Sequence, residues 1–282
     1  MRKYLMVFAL FFMQGIVAQE LFVVTDPASN VPAGSLGIRL GQSVFKKQMK
    51  SGYSYHVMPE VAWEINKNLM VRTSMFVSNS NNQLVAEGAS FYTKYRFLST
   101  DDLQSHFRMA AYGRYSFNNA TIHQEQIEIM GQNSGFETGI VATQLIKKLA
   151  VSASVSYEKA FDNKPDYRFP VAQSDNAMNY TLSLGRLMYP KKYTNFKQTN
   201  INTMIEFVGQ TLNENGKSYL DIVPSVQFII NSKARIDFAY KIAFIQLFAQ
   251  NGFIQFLKLP HCKFFWQKLK TNRFCRGSIT QS

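Results

Sequence analysis

Ionisable side chains recur on one parity of extended, half-apolar stretches of this sequence. The set is Arg39, Glu60, Glu64, Arg72, Lys94, Arg96, Arg108, Arg114, Glu137, Glu158, Glu206, Asp221, Asp237 and Lys241. In a strand, side chains alternate between two faces, so each of these charges shares a face with its polar neighbours and opposes the apolar ones. Two readings are open. Charges of both signs can pair across strands and fill a narrow barrel interior. Alternatively, they line a small channel and select the solutes that pass it.

Signals for covalent or metal chemistry are weak by comparison. No G-x-S-x-G, P-loop, H-E-x-x-H or G-x-G-x-x-G pattern occurs. His56 occupies a charge-bearing strand position near Ser54, the arrangement a membrane-embedded hydrolase would need, but a Ser near a His is common by chance. His106 falls near a strand start and His261 in the tail. His123, Glu125 and Glu128 cluster in a long loop, where a solvated surface is the simpler reading than a cation site. The 12 methionines are scattered over both faces, as packing residues are. No catalytic, cofactor-binding or metal-binding residue is therefore expected.

The elements that carry these residues are strands. Val151, Ala153, Val155 and Tyr157 alternate with Ser152, Ser154, Ser156 and Glu158. A helix would scatter such a set around its circumference, whereas a strand separates it. The same alternation predicts eleven strands, at 35–45, 53–65, 69–78, 84–97, 105–117, 134–146, 149–161, 177–189, 199–212, 218–230 and 234–247. Most exceed the ~5–6 residues usual in soluble sheets and suit a tilted membrane span. The connections at 66–68, 147–148 and 231–233 are tight, while those at 118–133 and 162–176 are long. With the N-terminus on the periplasmic side, the tight turns fall at one end and the long loops at the other, as in outer-membrane barrels. Alternation alone does not separate a membrane barrel from a soluble sandwich; strand length, loop asymmetry and an apolar face rich in aromatics favour the barrel. Pro59 and Pro224 each lack a ladder donor, so a bulge or strand end is expected at each.

Composition agrees. The chain is 46% hydrophobic and 14% aromatic, yet its mean hydropathy is only −0.15. Arg2 and Lys3 precede an apolar run, Tyr4 to Met13, followed by small residues at Gly15 and Ala18. That order predicts a secretory signal peptide at 1–18, with 19–34 a periplasmic N-terminal segment. The formal charge of +13 is concentrated late: no acidic residue follows Asp237, and the Lys and Arg beyond it account for seven of the positive charges. The charge is thus not a nucleic-acid footprint. Both cysteines, Cys262 and Cys275, lie in the same tail, so the body has no disulfide framework.

Several stretches resemble uncharacterised bacterial outer-membrane barrel proteins: TDPASNVPAGSLGIRLGQS at 25–43, MPEVAWEINKNLMVR at 58–72, FRMAAYGRYSFNNATIHQEQIEIMGQNSG at 107–135, YPKKYTNFKQTNIN at 189–202, and EFVGQTLNENGKSYLDIVPSVQFIINSKARID at 206–237. More distantly, the architecture is similar to barrels assigned to transport of hydrophobic compounds. The resemblance covers roughly 19–237 and implies a fold and a compartment without naming an activity. The tail departs from it, because such barrels end in an alternating aromatic strand. The tail reads either as a basic extension or as an altered end, and the second is preferred.

The expected fold is all-β, an antiparallel up-and-down transmembrane β-barrel of about 12 strands, the last atypical or degraded. The barrel is placed at 35–259, with 249–259 as the closing strand, and a basic atypical tail at 260–282. The expected function is an outer-membrane channel or transporter for a small solute, with the charged residues named above lining the lumen. The alternatives are a membrane-embedded lipid-modifying enzyme and a loop-mediated adhesion or assembly protein. Expected partners are outer-membrane lipid, the barrel-assembly machinery and a small solute, with no nucleic acid.

Overall fold

In the computed structural model, the residues described are 22–46, 53–79, 83–120, 126–163, 173–190, 198–231, 234–247, 254–255 and 261–271. The signal-peptide region lies outside them. Among the described residues, strands follow one another from Ser35 to Thr271: β1 (Ser35–Lys46), β2 (Tyr53–Glu64), β3 (Leu69–Ser78), β4 (Val85–Asp101), β5 (Ser105–Asn118), β6 (Ser134–Ile146), β7 (Leu149–Phe161), β8 (Asn176–Tyr189), β9 (Asn200–Leu212), β10 (Ser218–Ile230), β11 (Ala234–Leu247), β12 (Ile254–Gln255) and β13 (His261–Thr271). All eleven strands read from the alternation are present, with ends shifted by a few residues.

Each strand from β1 to β11 pairs antiparallel with its sequence neighbours, and β13 pairs with both β11 and β1. The sheet therefore closes into a twelve-stranded up-and-down barrel. Among the described residues, closure leaves no row of unpaired strand backbone, the condition for a sheet to sit in hydrocarbon. The closing strand corrects the sequence reading. Of 249–259 only the two-residue β12 is described, and it pairs with Gln246 and Leu247 at the end of β11; the rest of that stretch lies outside the described residues. The closing residues are His261–Thr271, inside the segment read as a tail. Their register is continuous over Ser35–Val44 on one side and Ala234–Lys241 on the other. Backbone pairing needs only extended chain, so a sequence without clean alternation can still supply it.

The two faces of the wall differ sharply. Ile38, Val61, Trp63, Phe91, Tyr95, Phe97, Tyr115, Val155 and Phe238 are exposed on the outside, whereas Arg39, Glu60, Glu64, Lys94, Ser152, Ser156 and Glu206 are buried within. An apolar, aromatic belt of this size is unstable in water and suits lipid.

Neither proline marks the bulge or strand end expected of it: Pro59 lies inside β2 and Pro224 inside β10, with no register shift at either. Pairing of β2 with β3 lapses across Met58 and Pro59, then resumes in the same register. Pairing of β10 with β11 likewise lapses across Val223 and Pro224. Each proline costs ladder bonds locally, and the flanking strand length absorbs the loss. The bulges fall elsewhere, at Phe76/Val77, Arg96/Leu98, Leu187/Tyr189 and Leu220/Asp221.

Connections at 65–68, 102–104 and 147–148 share one end of the barrel, and those at 119–133 and 162–175 the other. Asn66 forms its tight turn by accepting from the N–H groups of Asn68 and Leu69 at 2.8 and 2.9 Å. Gly34, at φ 75°, turns the incoming chain into β1 at this same short-turn end. Side-chain-bearing residues resist that left-handed conformation.

Candidate functional site: an occupied, charged lumen

What precedes Gly34 is the main departure from the sequence reading. The stretch 19–34, read as a periplasmic segment, enters the barrel over its described part. Phe22 and Val23 are buried against Ala150, Met204, Val223 and Ala239, small and apolar residues of β7, β9, β10 and β11. Further along, Ala28 packs with Ala110 and Val141 of β5 and β6. The segment is a plug.

Its polar contacts are organised by sign. On one wall, the Glu206 carboxylate of β9 accepts from the backbone N–H groups of Val23 at 2.9 Å, Val24 at 3.0 Å and Thr25 at 2.8 Å. Ser183 donates to Thr25 Oγ1 at 2.8 Å and to Glu206 at 3.2 Å. Three successive N–H groups converging on one anion form a backbone nest turned toward a wall carboxylate. On the opposite wall, Arg72 of β3 pairs with the Asp26 carboxylate through its guanidinium. Lys94 of β4 donates to Pro27 O at 2.7 Å and Ser29 O at 3.2 Å. Arg108 of β5 donates to Ser29 Oγ at 3.2 Å. The plug thus turns three successive N–H donors to β9 and most of its acceptors to β3–β5, while the Ala28 N–H donates to Thr143 Oγ1 of β6 at 2.9 Å. In a closed ring of twelve strands, β3 and β9 lie half a circumference apart.

The other charges named from the sequence form wall pairs. Arg39 meets Glu60 at 3.0 Å, and Arg72 also lies 3.8 Å from Glu60. Arg114 meets Glu137 at 2.8 Å, and that carboxylate also accepts from Ser156 at 2.9 Å. Lys241 meets Asp221 at 2.8 Å, while Asp237 pairs with Arg235 at 2.8 Å. Glu158 accepts from Gln210 at 3.2 Å. Arg96 reaches the short-turn end and donates to Lys67 O at 2.6 Å. Glu64 is buried near the same end. Lys94 and Glu206 are fully enclosed, each 0% exposed. Buried charges persist only when paired and hydrogen-bonded, and here the plug supplies several of the partners.

Sequence reasoning missed Asp26, Glu87, Arg235 and Gln210. Arg235 was legible, because it shares parity with Asp237. Asp26 was not, because the segment holding it has no strand periodicity from which to read a direction.

A second insertion narrows the opposite end. Ile127 and Ile129, from the long connection between β5 and β6, are buried against Ala160, Ala177, Leu212 and Tyr219 inside the barrel. Gln210 clamps Ile127 by accepting its N–H at 3.0 Å and donating to its carbonyl at 2.7 Å. The reading of this loop as a solvated surface is therefore corrected for 126–133; His123 and Glu125 lie outside the described residues. Glu128 lies with His56, Ser43, Met58, Phe76 and Met130 around a small cavity of about 50 Å³. The Ser54 side chain, the proposed companion of His56, lies outside the described set. At the outer rim, slight burial raises the Asp175 carboxyl. Hydrogen bonds from Lys159 and Asn176 outweigh it and hold its pKa below the usual carboxylate value.

Glu206 offers a direct test of the plug's anchorage. Replacing it by Ala leaves three plug N–H groups without their acceptor, each worth about 1–3 kcal/mol. We expect Glu206→Ala to expose 22–30 to limited proteolysis at a rate at least about tenfold above the wild type, with the heat-resistant barrel band retained. Unchanged protection would show that the carboxylate does not hold the plug.

No family model matches this chain, and no curated protein matches it. Solved structures do. An outer-membrane channel from Pseudomonas putida F1 aligns over 88% of this chain and 100% of its own, at 11% identity and a TM-score of 0.53. The NanC porin aligns over 83% of this chain and 99% of its own, at 10% identity and a TM-score of 0.48. OccAB4 of Acinetobacter baumannii aligns over 81% of this chain at 8% identity and a TM-score of 0.38, and the chain spans only 56% of its length. The likeness to the Pseudomonas channel is one of fold.

Proposed function

We propose that this protein is an outer-membrane channel or transporter for a small polar solute, gated by its own N-terminal segment. One observation carries the reading. A closed barrel with a lipid-suited exterior encloses charges of both signs, and part of their pairing is contributed by a segment that is not part of the wall. A barrel serving only as a scaffold could complete those pairs strand to strand, as Arg114 and Glu137 do. The sign-sorted walls instead leave a polar path along which a solute can replace the plug. The fold shared with a known outer-membrane channel supports the same reading.

Planar-bilayer conductance tests it. The wild type should conduct little, in brief openings. Asp26→Asn removes a buried ion pair whose loss costs about 3–5 kcal/mol, enough to shift a plugged–open equilibrium by more than tenfold. Its mean conductance should rise at least that much. Equal, negligible conductance in both proteins would overturn the channel reading.

A further inference from the structure

We infer that the lumen between β9 and β3–β5 is a binding site for short acidic peptides, and that Val23–Asp26 is the peptide it holds in the resting state. The inference rests on the channel reading for its physiological meaning but not for its test. Four observations support it.

First, the contacts to Val23, Val24 and Thr25 on the Glu206 side are to backbone N–H groups. A carboxylate that collects successive N–H groups recognises peptide backbone, whatever the side chains. In a free peptide the terminal ammonium would take the place of the Val23 N–H and add a full charge to the interaction. Second, Arg72 meets Asp26 through two guanidinium nitrogens, the fork that carboxylates fit. Third, Lys94 donates to the two carbonyls of Pro27 and Ser29, again main-chain groups. The walls thus contact amide donors, amide acceptors, one carboxylate and the hydroxyls of Thr25 and Ser29, which together describe a peptide with an acidic residue and small polar ones. Fourth, Tyr92 is 4% exposed, and its buried hydroxyl has no hydrogen-bond partner among the described residues. Its ring is covered by Arg72 and Arg114, at 4.5 and 5.1 Å from the centroid. That leaves a spare donor beside the carboxylate position for an occupant other than the plug.

Span sets the length. Four residues cover the contacts from Glu206 to Arg72, so an occupant reaching both walls needs about three or four residues, at most ~14 Å when extended.

The test uses the full chain in detergent micelles and the synthetic peptide Val-Val-Thr-Asp with a free amino end, followed by titration calorimetry. In the wild type the plug competes intramolecularly, so apparent affinity is reduced by the fraction of plugged molecules. The double variant Val24→Pro/Asp26→Asn removes one plug N–H and the plug carboxylate while leaving every wall residue intact. It should bind the peptide at least about tenfold more tightly than the wild type. An acetylated peptide, or Val-Val-Thr-Asn-amide, should lose most of that gain. If the double variant lacks a heat-resistant folded band, Asp26→Asn alone carries the same comparison, since it keeps every backbone bond of the plug. No gain over the wild type, or equal binding of the blocked peptides, overturns the inference while the conductance result stands by itself. Conversely, peptide binding without conductance would sustain this site and remove the channel reading.

Discussion

Arginine at Val155 should destabilise the folded barrel by about 2–4 kcal/mol in lipid vesicles, because it would place a charge at mid-span on the lipid side. Val155 is the central residue of β7, 48% exposed on the outer face. Its strand neighbours across the ladder are Ile140 and Tyr180, also exposed, so no acidic group stands directly opposite the new charge. The cost depends on depth. Leu149 lies on the same face at the end of β7, where a charged head can reach water, and Leu149→Arg should cost no more than about 1 kcal/mol. Denaturant titration of both variants in vesicles measures the difference. If the two cost the same, the exterior of β7 does not face hydrocarbon, and the assignment of the two faces fails with it.

That the faces could be assigned from sequence follows from the period of a strand. Ser152, Ser156 and Glu158 point inward and Ala153 and Val155 outward because period two admits no third choice once one residue is placed. The tight connection at Lys147-Lys148 fixes where the count restarts, and Lys147 adopts φ 52° to make it. Charged interior positions were legible on the same ground, including pairs such as Arg114 with Glu137 that face each other across β5 and β6.

What fills the interior was not legible. The plug has no periodicity: Phe22, Val23, Asp26 and Pro27 all fall in the stretch 19–34 read as a periplasmic segment, where nothing gives a side chain its direction. Only the three-dimensional closure of the wall brings Glu206 within reach of Val23, at a sequence separation of 183. The same limit hid the inward fold of Ile127 and Ile129, whose anchor, Gln210, is 83 residues away. Long-range partners of irregular segments leave no local trace, whereas strand parity does. The closing strand failed for a related reason. Its pairing is through backbone, which any extended stretch offers, so its side-chain pattern did not announce it.

Proline at Trp266 should therefore prevent stable barrel closure, and proline at Leu257 should not. Trp266 stands opposite Leu40 of β1 and Ile236 of β11, in the middle of the one strand that joins the two ends of the sheet. Proline there removes a ladder donor and obstructs pairing, at a cost of about 3 kcal/mol or more in a regular element. In hydrocarbon the penalty grows, since each backbone group left unpaired costs several kcal/mol and no water is present to replace the lost bond. The N–H and C=O of one residue face the same neighbour, so one of the two seams that β13 holds is opened directly. The measurement is heat-modifiable mobility after refolding into micelles. Trp266→Pro should lose the compact, heat-resistant band, while Leu257→Pro and Arg273→Pro, outside His261–Thr271, should keep it. Loss of the band in Leu257→Pro with retention in Trp266→Pro would return the closing strand to 249–259. Retention in all three would mean that the barrel closes by direct pairing of β11 with β1, a ring of eleven strands that antiparallel alternation forbids without a parallel seam.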